Sequence, residues 1–98
     1  MATVHLPRSL VTLFTDPPPR KLDMTASSLG DLVTQLDEGW PGMRDRLIEA
    51  GPRLREHINV FIDGERERDL GATIPDGAEV HIIPAVAGGA SDELSYSG

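Results

Sequence analysis

Gly88 and Gly89 stand where the chain passes from an apolar stretch into a small, polar one. The sequence runs Pro84-Ala85-Val86-Ala87-Gly88-Gly89 and then Ala90-Ser91-Asp92-Glu93-Leu94-Ser95-Tyr96-Ser97-Gly98. Neither glycine carries a Cβ, so the pair can pass where other residues would clash. A segment of this kind suits threading into a narrow active site on another protein. The chemistry would then belong to the carboxylate of Gly89 and not to a side chain. In this sequence that carboxylate is held in the peptide bond to Ala90. Carboxylate chemistry therefore requires a cut between Gly89 and Ala90. The competing reading is a plain linker ahead of an inert disordered tail, because Ser, Asp, Glu and Gly explain disorder without any function.

The side chains offer no second center. Cysteine is absent, which excludes disulfides, thiolate metal sites and cysteine nucleophiles. His5, His57 and His81 share no metal-ligand spacing and read as strand or loop histidines, so no metal site is expected. Asp63 and Asp76 each precede a glycine and read as turn formers, not as acid/base residues. Ser9, Ser27 and Ser28 lack a nucleophile-elbow context, and no glycine-rich phosphate loop is found. No catalytic residue is assigned.

The formal net charge is −7, from 16 acidic and 9 basic residues. Phosphate binding relies on clustered Lys and Arg, so nucleic acid is excluded as an expected partner. Arg44, Arg46, Arg53 and Arg55 are interleaved with Asp45, Glu49 and Glu56 and read as a solvated mixed-charge surface. An acidic carrier steered toward a basic enzyme fits the balance. No apolar run reaches membrane-spanning length and no signal peptide is read at the start, so a cytoplasmic protein is expected.

The elements that must position the glycines are legible in part. Thr3–Leu6 reads as a first strand with Val4 and Leu6 on one face. Ser9–Phe14 is ambiguous between helix and strand, and Asp16–Pro19 reads as the loop at a hairpin tip. Arg20–Met24 returns as a second strand with Leu22 and Met24 inward. Ser27 or Ser28 caps a helix whose stripe is Leu29, Leu32, Val33 and Leu36, ended by Gly39 and Pro41. Met43–Ala50 is expected as a second, short helix, broken by Gly51-Pro52. Ile58–Ile62 is a strand, Asp63-Gly64 a hairpin turn, Arg66–Arg68 a short charged edge strand, and Glu79–Ile83 the last strand.

One main helix flanked by strands suggests an α+β domain: a mixed sheet of four to five strands packed on that helix. The first and last strands can pair in parallel at the sheet center, which is a β-grasp, ubiquitin-like arrangement. The domain is expected over 1–87, with a flexible tail over 88–98 in which 90–98 is a removable extension.

Two segments carry a resemblance: Asn59-Val60-Phe61-Ile62-Asp63-Gly64, and the run from Pro75-Asp76-Gly77 through Val80-His81-Ile82-Ile83 to Gly88-Gly89. Together they resemble the ubiquitin-like sulfur carriers of the MoaD/ThiS type, and the Pro-Ala-Val-Ala-Gly-Gly ending resembles the CysO-like branch. The resemblance implies a sulfur carrier protein, a cosubstrate and not an enzyme. An E1-like adenylyltransferase of the MoeB/ThiF type would use MgATP to adenylate the Gly89 carboxylate, which a sulfur donor would convert to a thiocarboxylate. No cofactor would be bound by the chain itself. Gly89 would carry the sulfur, and Gly88 and Ala87 would thread the active site. The acceptor would be a biosynthetic enzyme, either a PLP-dependent cysteine synthase or another enzyme of sulfur metabolism. The extension after Gly89 departs from the usual ending and implies a JAMM-type zinc peptidase that cuts between Gly89 and Ala90. A ubiquitin-like modifier joined to lysines through Gly89 and a non-catalytic interaction domain remain open beside the carrier.

Strand parity adds one candidate surface. With Val60 and Ile62 inward, Phe61 falls on the opposite sheet face, and Ile83 joins it there because Val80 and Ile82 take the inward parity. Phe61 and Ile83 would form a docking patch for the adenylating enzyme. The alternative is that a loop or the Arg55 stem covers them.

Overall fold

The structure, a computed structural model, describes residues 1–84. The expectations at Ala87, Gly88, Gly89 and Ala90, and for the tail as a whole, lie outside the described residues.

The chain opens with β1 (Ala2–His5), a short helix α1 (Arg8–Val11) and β2 (Lys21–Met24). Pro7 enters α1 and Leu10 and Val11 are buried, which settles the ambiguous apolar stretch as one helical turn. β1 and β2 pair antiparallel as a hairpin whose connection holds Asp16–Pro19. The main helix, α2 (Leu29–Gly39), follows. Ser28 is its N-cap: the Asp31 N–H donates to Ser28 Oγ at 3.1 Å, and the Ser27 N–H donates to Asp31 Oδ2 at 3.0 Å. This is a capping box with its return bond moved back one residue. Leu29, Leu32, Val33 and Leu36 are all buried, and Trp40 packs half-buried beyond the helix end.

Helix α3 covers Met43–Leu47 only, which corrects the expected Met43–Ala50 helix. Ile48 turns extended, and β3 (Ile48–Glu49) pairs antiparallel with β4 (Arg53–Leu54) around Gly51-Pro52. The physical reason is burial. In this small hairpin Ile48 and Leu54 both reach the core beside Met43 and Leu47. β-branched Ile48 also favors extended backbone over helix. Two of the four clustered arginines pair with Glu49: Arg53 Nε lies 2.9 Å from Glu49 Oε2, and Arg55 reaches the other Glu49 oxygen at 3.9 Å.

β5 (Ile58–Ile62), β6 (Glu65–Glu67) and β7 (Glu79–Pro84) complete the chain's described strands. Asp63 (φ 52°) and Gly64 (φ 86°) are both left-handed, the pattern of a type I′ hairpin turn. Asp63 Oδ1 also accepts from the Glu79 N–H at 2.9 Å. Asp63 is thus a turn former, as read. The turn at Pro75–Ala78 is closed by the Ala78 N–H to Pro75 carbonyl bond, with Asp76 inside it bound to the N-terminal ammonium of Met1. That ammonium holds the Asp76 carboxyl below its ordinary range, first by the hydrogen bond and then by charge.

The strands form one five-stranded mixed sheet in the order β2-β1-β7-β5-β6. β1 and β7 run parallel at its center and the other pairs are antiparallel. This is the β-grasp arrangement. The inward face carries Val4, Val60, Val80 and Ile82 and packs on α2 in a single buried core. Half-buried Leu22, Met24, Ile58 and Ile62 close its margins.

Edge residue Arg68 does more than face water. Its guanidinium donates to the carbonyls of Ile58 (2.7 Å), Leu54 (3.1 Å) and Arg55 (3.1 Å). These bonds fix the β4–β5 connection, a role beyond the short charged edge strand expected over Arg66–Arg68.

Candidate functional site

Alternation along each strand puts one set of side chains on the core and the other on the outer face. Val80 and Ile82 are buried, so Glu79, His81 and Ile83 take the outer face of β7. The same parity sends His5 outward from β1 and Asn59 and Phe61 outward from β5. Cross-strand register then assembles them. His5 is opposite both Lys21 and His81, Phe61 is opposite His81, and Arg66 is opposite Phe61. The result is one transverse row, Lys21–His5–His81–Phe61–Arg66, crossing all five strands.

Phe61 and Ile83 lie on one face of the sheet. Phe61 pairs with His81 and Ile83 with Asn59, so the two are diagonal neighbors on one face, within reach of each other's side chains. Both are half-buried, and neither belongs to the core or packs against it. Arg55 turns away from this face, since its Nε donates to the Asp45 carbonyl at 2.8 Å. Arg66 borders the patch, with its Nε 3.3 Å from Asn59 Oδ1.

The histidines are the feature that the sequence reading did not find. His5 and His81 stack face to face, with ring centroids 4.1 Å apart and planes within 2°. His5 Nε2 lies 2.6 Å from Glu79 Oε1. The His81 imidazole is held below its ordinary pKa, chiefly by burial and then by the nearby His5, with Glu79 partly opposing. Seventy-odd residues separate the two histidines, so no local spacing signals them. The available signal was parity plus the parallel β1–β7 pairing, which places both rings outward on adjacent strands. His57 stands apart and exposed before β5.

β7 runs out of the sheet center through Ile83 to Pro84. The last described residue of β7, Pro84, thus follows Ile83 of the patch and precedes Gly89 by five residues in the sequence. Residues 85–89 can span at most roughly 18 Å from that point, however they are arranged. A partner that docks on the outer face and acts on Gly89 must hold its reactive center within that reach.

Residues 11–89 match the ThiS family. The chain belongs to the ThiS family. The match runs through both glycines and ends at Gly89, so residues 90–98 lie beyond it. This ThiS-family chain is 29% identical to the sulfur carrier protein CysO of Mycobacterium tuberculosis over 75 residues, 71% of this chain and 81% of that one. It is 33% identical to the small archaeal modifier protein 3 of Haloferax volcanii over 66 residues, 64% of this chain and 71% of that one. In three dimensions it is similar to a chain of the BexX/CysO complex of Amycolatopsis orientalis. The TM-score there is 0.78, at 26% identity, with 91% of this chain and all of that chain covered. These likenesses fit the β-grasp topology seen in the sheet. No helix among the described residues is long and apolar enough to cross a membrane.

Proposed function

We propose that this ThiS-family chain is a sulfur carrier that acts through the carboxylate of Gly89, with the outer sheet face as the surface its partner enzyme docks on. The observation that carries the reading is the family match that continues through Gly88 and stops at Gly89. The CysO relatives support sulfur as the cargo. The fold likeness to a chain solved within the BexX/CysO complex supports a carrier that works by seating on another protein.

In this reading a JAMM-type zinc peptidase first hydrolyses the Gly89–Ala90 bond and frees the carboxylate. An E1-like adenylyltransferase of the MoeB/ThiF type binds MgATP, and a Gly89 carboxylate oxygen attacks the α-phosphorus and displaces pyrophosphate. The acyl-adenylate exchanges a poor electrophile for one with AMP as leaving group. Sulfide-level sulfur delivered by a donor attacks the carbonyl carbon, AMP leaves with the C–O bonding pair, and the S–H proton is lost to solvent. The resulting thiocarboxylate is a nucleophile at neutral pH, held covalently so that free sulfide is not released. The acceptor is a biosynthetic enzyme, either a PLP-dependent cysteine synthase or another enzyme of sulfur metabolism. Gly88 and Ala87 supply the slender approach, and Phe61 and Ile83 the apolar anchor at the base of the segment. The domain contributes position and recognition while the partners contribute catalysis.

A second reading has its own support. The likeness to a small archaeal modifier protein favors conjugation, in which an amine and not sulfur attacks the adenylated Gly89. Both readings share the activation step. That step is tested by ATP–pyrophosphate exchange with an E1-like adenylyltransferase of the MoeB/ThiF type from the same cell. A chain ending at Gly89 supports exchange, and the chain 1–98 does not until the tail is removed. No exchange with the chain ending at Gly89 would overturn the proposal.

A further inference from the structure

The outer face holds a cluster that carrier chemistry leaves unused. His5, Glu79 and His81 each present one ligand atom, and these atoms lie within 4.8 Å of one another. We propose that His5, Glu79 and His81 form a binding site for a divalent zinc ion on the outer face of the central β1–β7 pair.

Three observations carry it. The first is the donor set. Two imidazoles and one carboxylate are borderline-soft and hard donors of the kind zinc takes, and three protein ligands leave a fourth position for water. The second is the scaffold. His5 and His81 are paired residues of the parallel β1–β7 ladder, and Thr3 opposite Glu79 fixes the third ligand one step away. Paired central strands hold backbone positions more firmly than loops do. The third is distance. Zinc–nitrogen bonds of about 2.0–2.1 Å place two ligands of one tetrahedral ion roughly 3.3 Å apart. His5 Nε2 and Glu79 Oε1 are already at 2.6 Å, where a proton now stands between them. The imidazoles stack in parallel, so their lone pairs do not yet converge. Rotation of the rings about their side-chain bonds turns the nitrogens toward a common point without moving the strands. The ion would take the place of the proton in the His5–Glu79 bond and tie β1 to β7.

The test is a zinc titration of the full untagged chain, stripped of metal beforehand, followed by calorimetry and thermal melting. The expected result is a single saturable site at one zinc per chain and a rise in Tm with zinc, because an ion bound only by the native state stabilizes it. His5→Asn and His81→Asn should each weaken binding by roughly tenfold or more, while His57→Asn leaves it unchanged. Imidazole proton resonances of His5 and His81, and not His57, should move on zinc addition to the wild-type chain. That readout decides the matter even if a variant fails to fold. Absence of saturable zinc uptake overturns the proposal. So does uptake that survives the folded His5→Asn/His81→Asn double variant, or resonance shifts confined to His57.

Discussion

Phe61 lies directly opposite His81 in the antiparallel β5–β7 ladder, and Ile83 is its diagonal neighbor on the same outer face. The aromatic ring is therefore placed by the strand that leads to the glycines, close to where that strand leaves the sheet. Anchors of this kind dominate interface energies when they fill a partner's pocket. Phe61→Ala should slow adenylation of the Gly89 form through weaker partner binding, by roughly five- to thirtyfold for about 1–2 kcal/mol. Its Tm should stay close to wild type, because Phe61 lies outside the core. A steady-state assay at varied carrier concentration should show the loss in KM. A large fall in Tm would place Phe61 in the fold's support and remove it as an anchor.

Arg68 tests a part of the fold that charge patterning obscured. Its guanidinium serves three main-chain carbonyls, those of Leu54, Arg55 and Ile58. Arg68→Met keeps an apolar stem of similar length and removes every donor. The expected cost is about 1–3 kcal/mol, from the partly buried Leu54 and Ile58 carbonyls left without partners. Urea denaturation should show a lower midpoint with little change in slope. An unchanged midpoint would mean that water replaces all three bonds.

Leu36 probes the packing of α2 on the sheet. It is fully buried in the stripe that includes Leu29, Leu32 and Val33. Leu36→Ala should destabilize the domain by about 2–5 kcal/mol, from lost burial and the cavity left behind. Thermal melting reads this directly, and a loss of only a few tenths would show that the helix collapses onto the sheet without penalty.

Gly64 tests backbone conformation alone. Its φ is +86°, and an added Cβ would meet nothing within 4 Å. Gly64→Ala should therefore cost about 1–2 kcal/mol, the penalty of an L side chain in the left-handed region. A neutral result, measured by denaturation, would mean that the Asp63-Gly64 turn relaxes to another type.

Much of this fold was legible because local chemistry and global topology agree. The Leu29–Leu36 stripe, the Ser28 cap and the Asp63-Gly64 turn each follow from residue types at fixed spacing. The helix expected over Met43–Ala50 was misread because periodicity over so few residues does not separate a helix from a helix joined to a hairpin. Ile48 is extended because it pairs with Leu54, a contact that only the folded chain reveals. The His5–His81 stack was missed for a related reason. Parity told which face each ring takes, but register told that they meet, and register is a tertiary property. Arg68 reads as one charge of a short edge strand because its carbonyl partners lie ten or more residues away. For Phe61 and Ile83 parity alone assigns the outer face, and the β5–β7 register makes them diagonal neighbors.

The central claim rests on the carboxylate of Gly89, and intact mass spectrometry of the protein from its native cell tests it most directly. The carrier reading predicts a form that ends at Gly89 with one oxygen replaced by sulfur. Only the full chain 1–98, or isopeptide adducts on other proteins with no thiocarboxylate form, would contradict it.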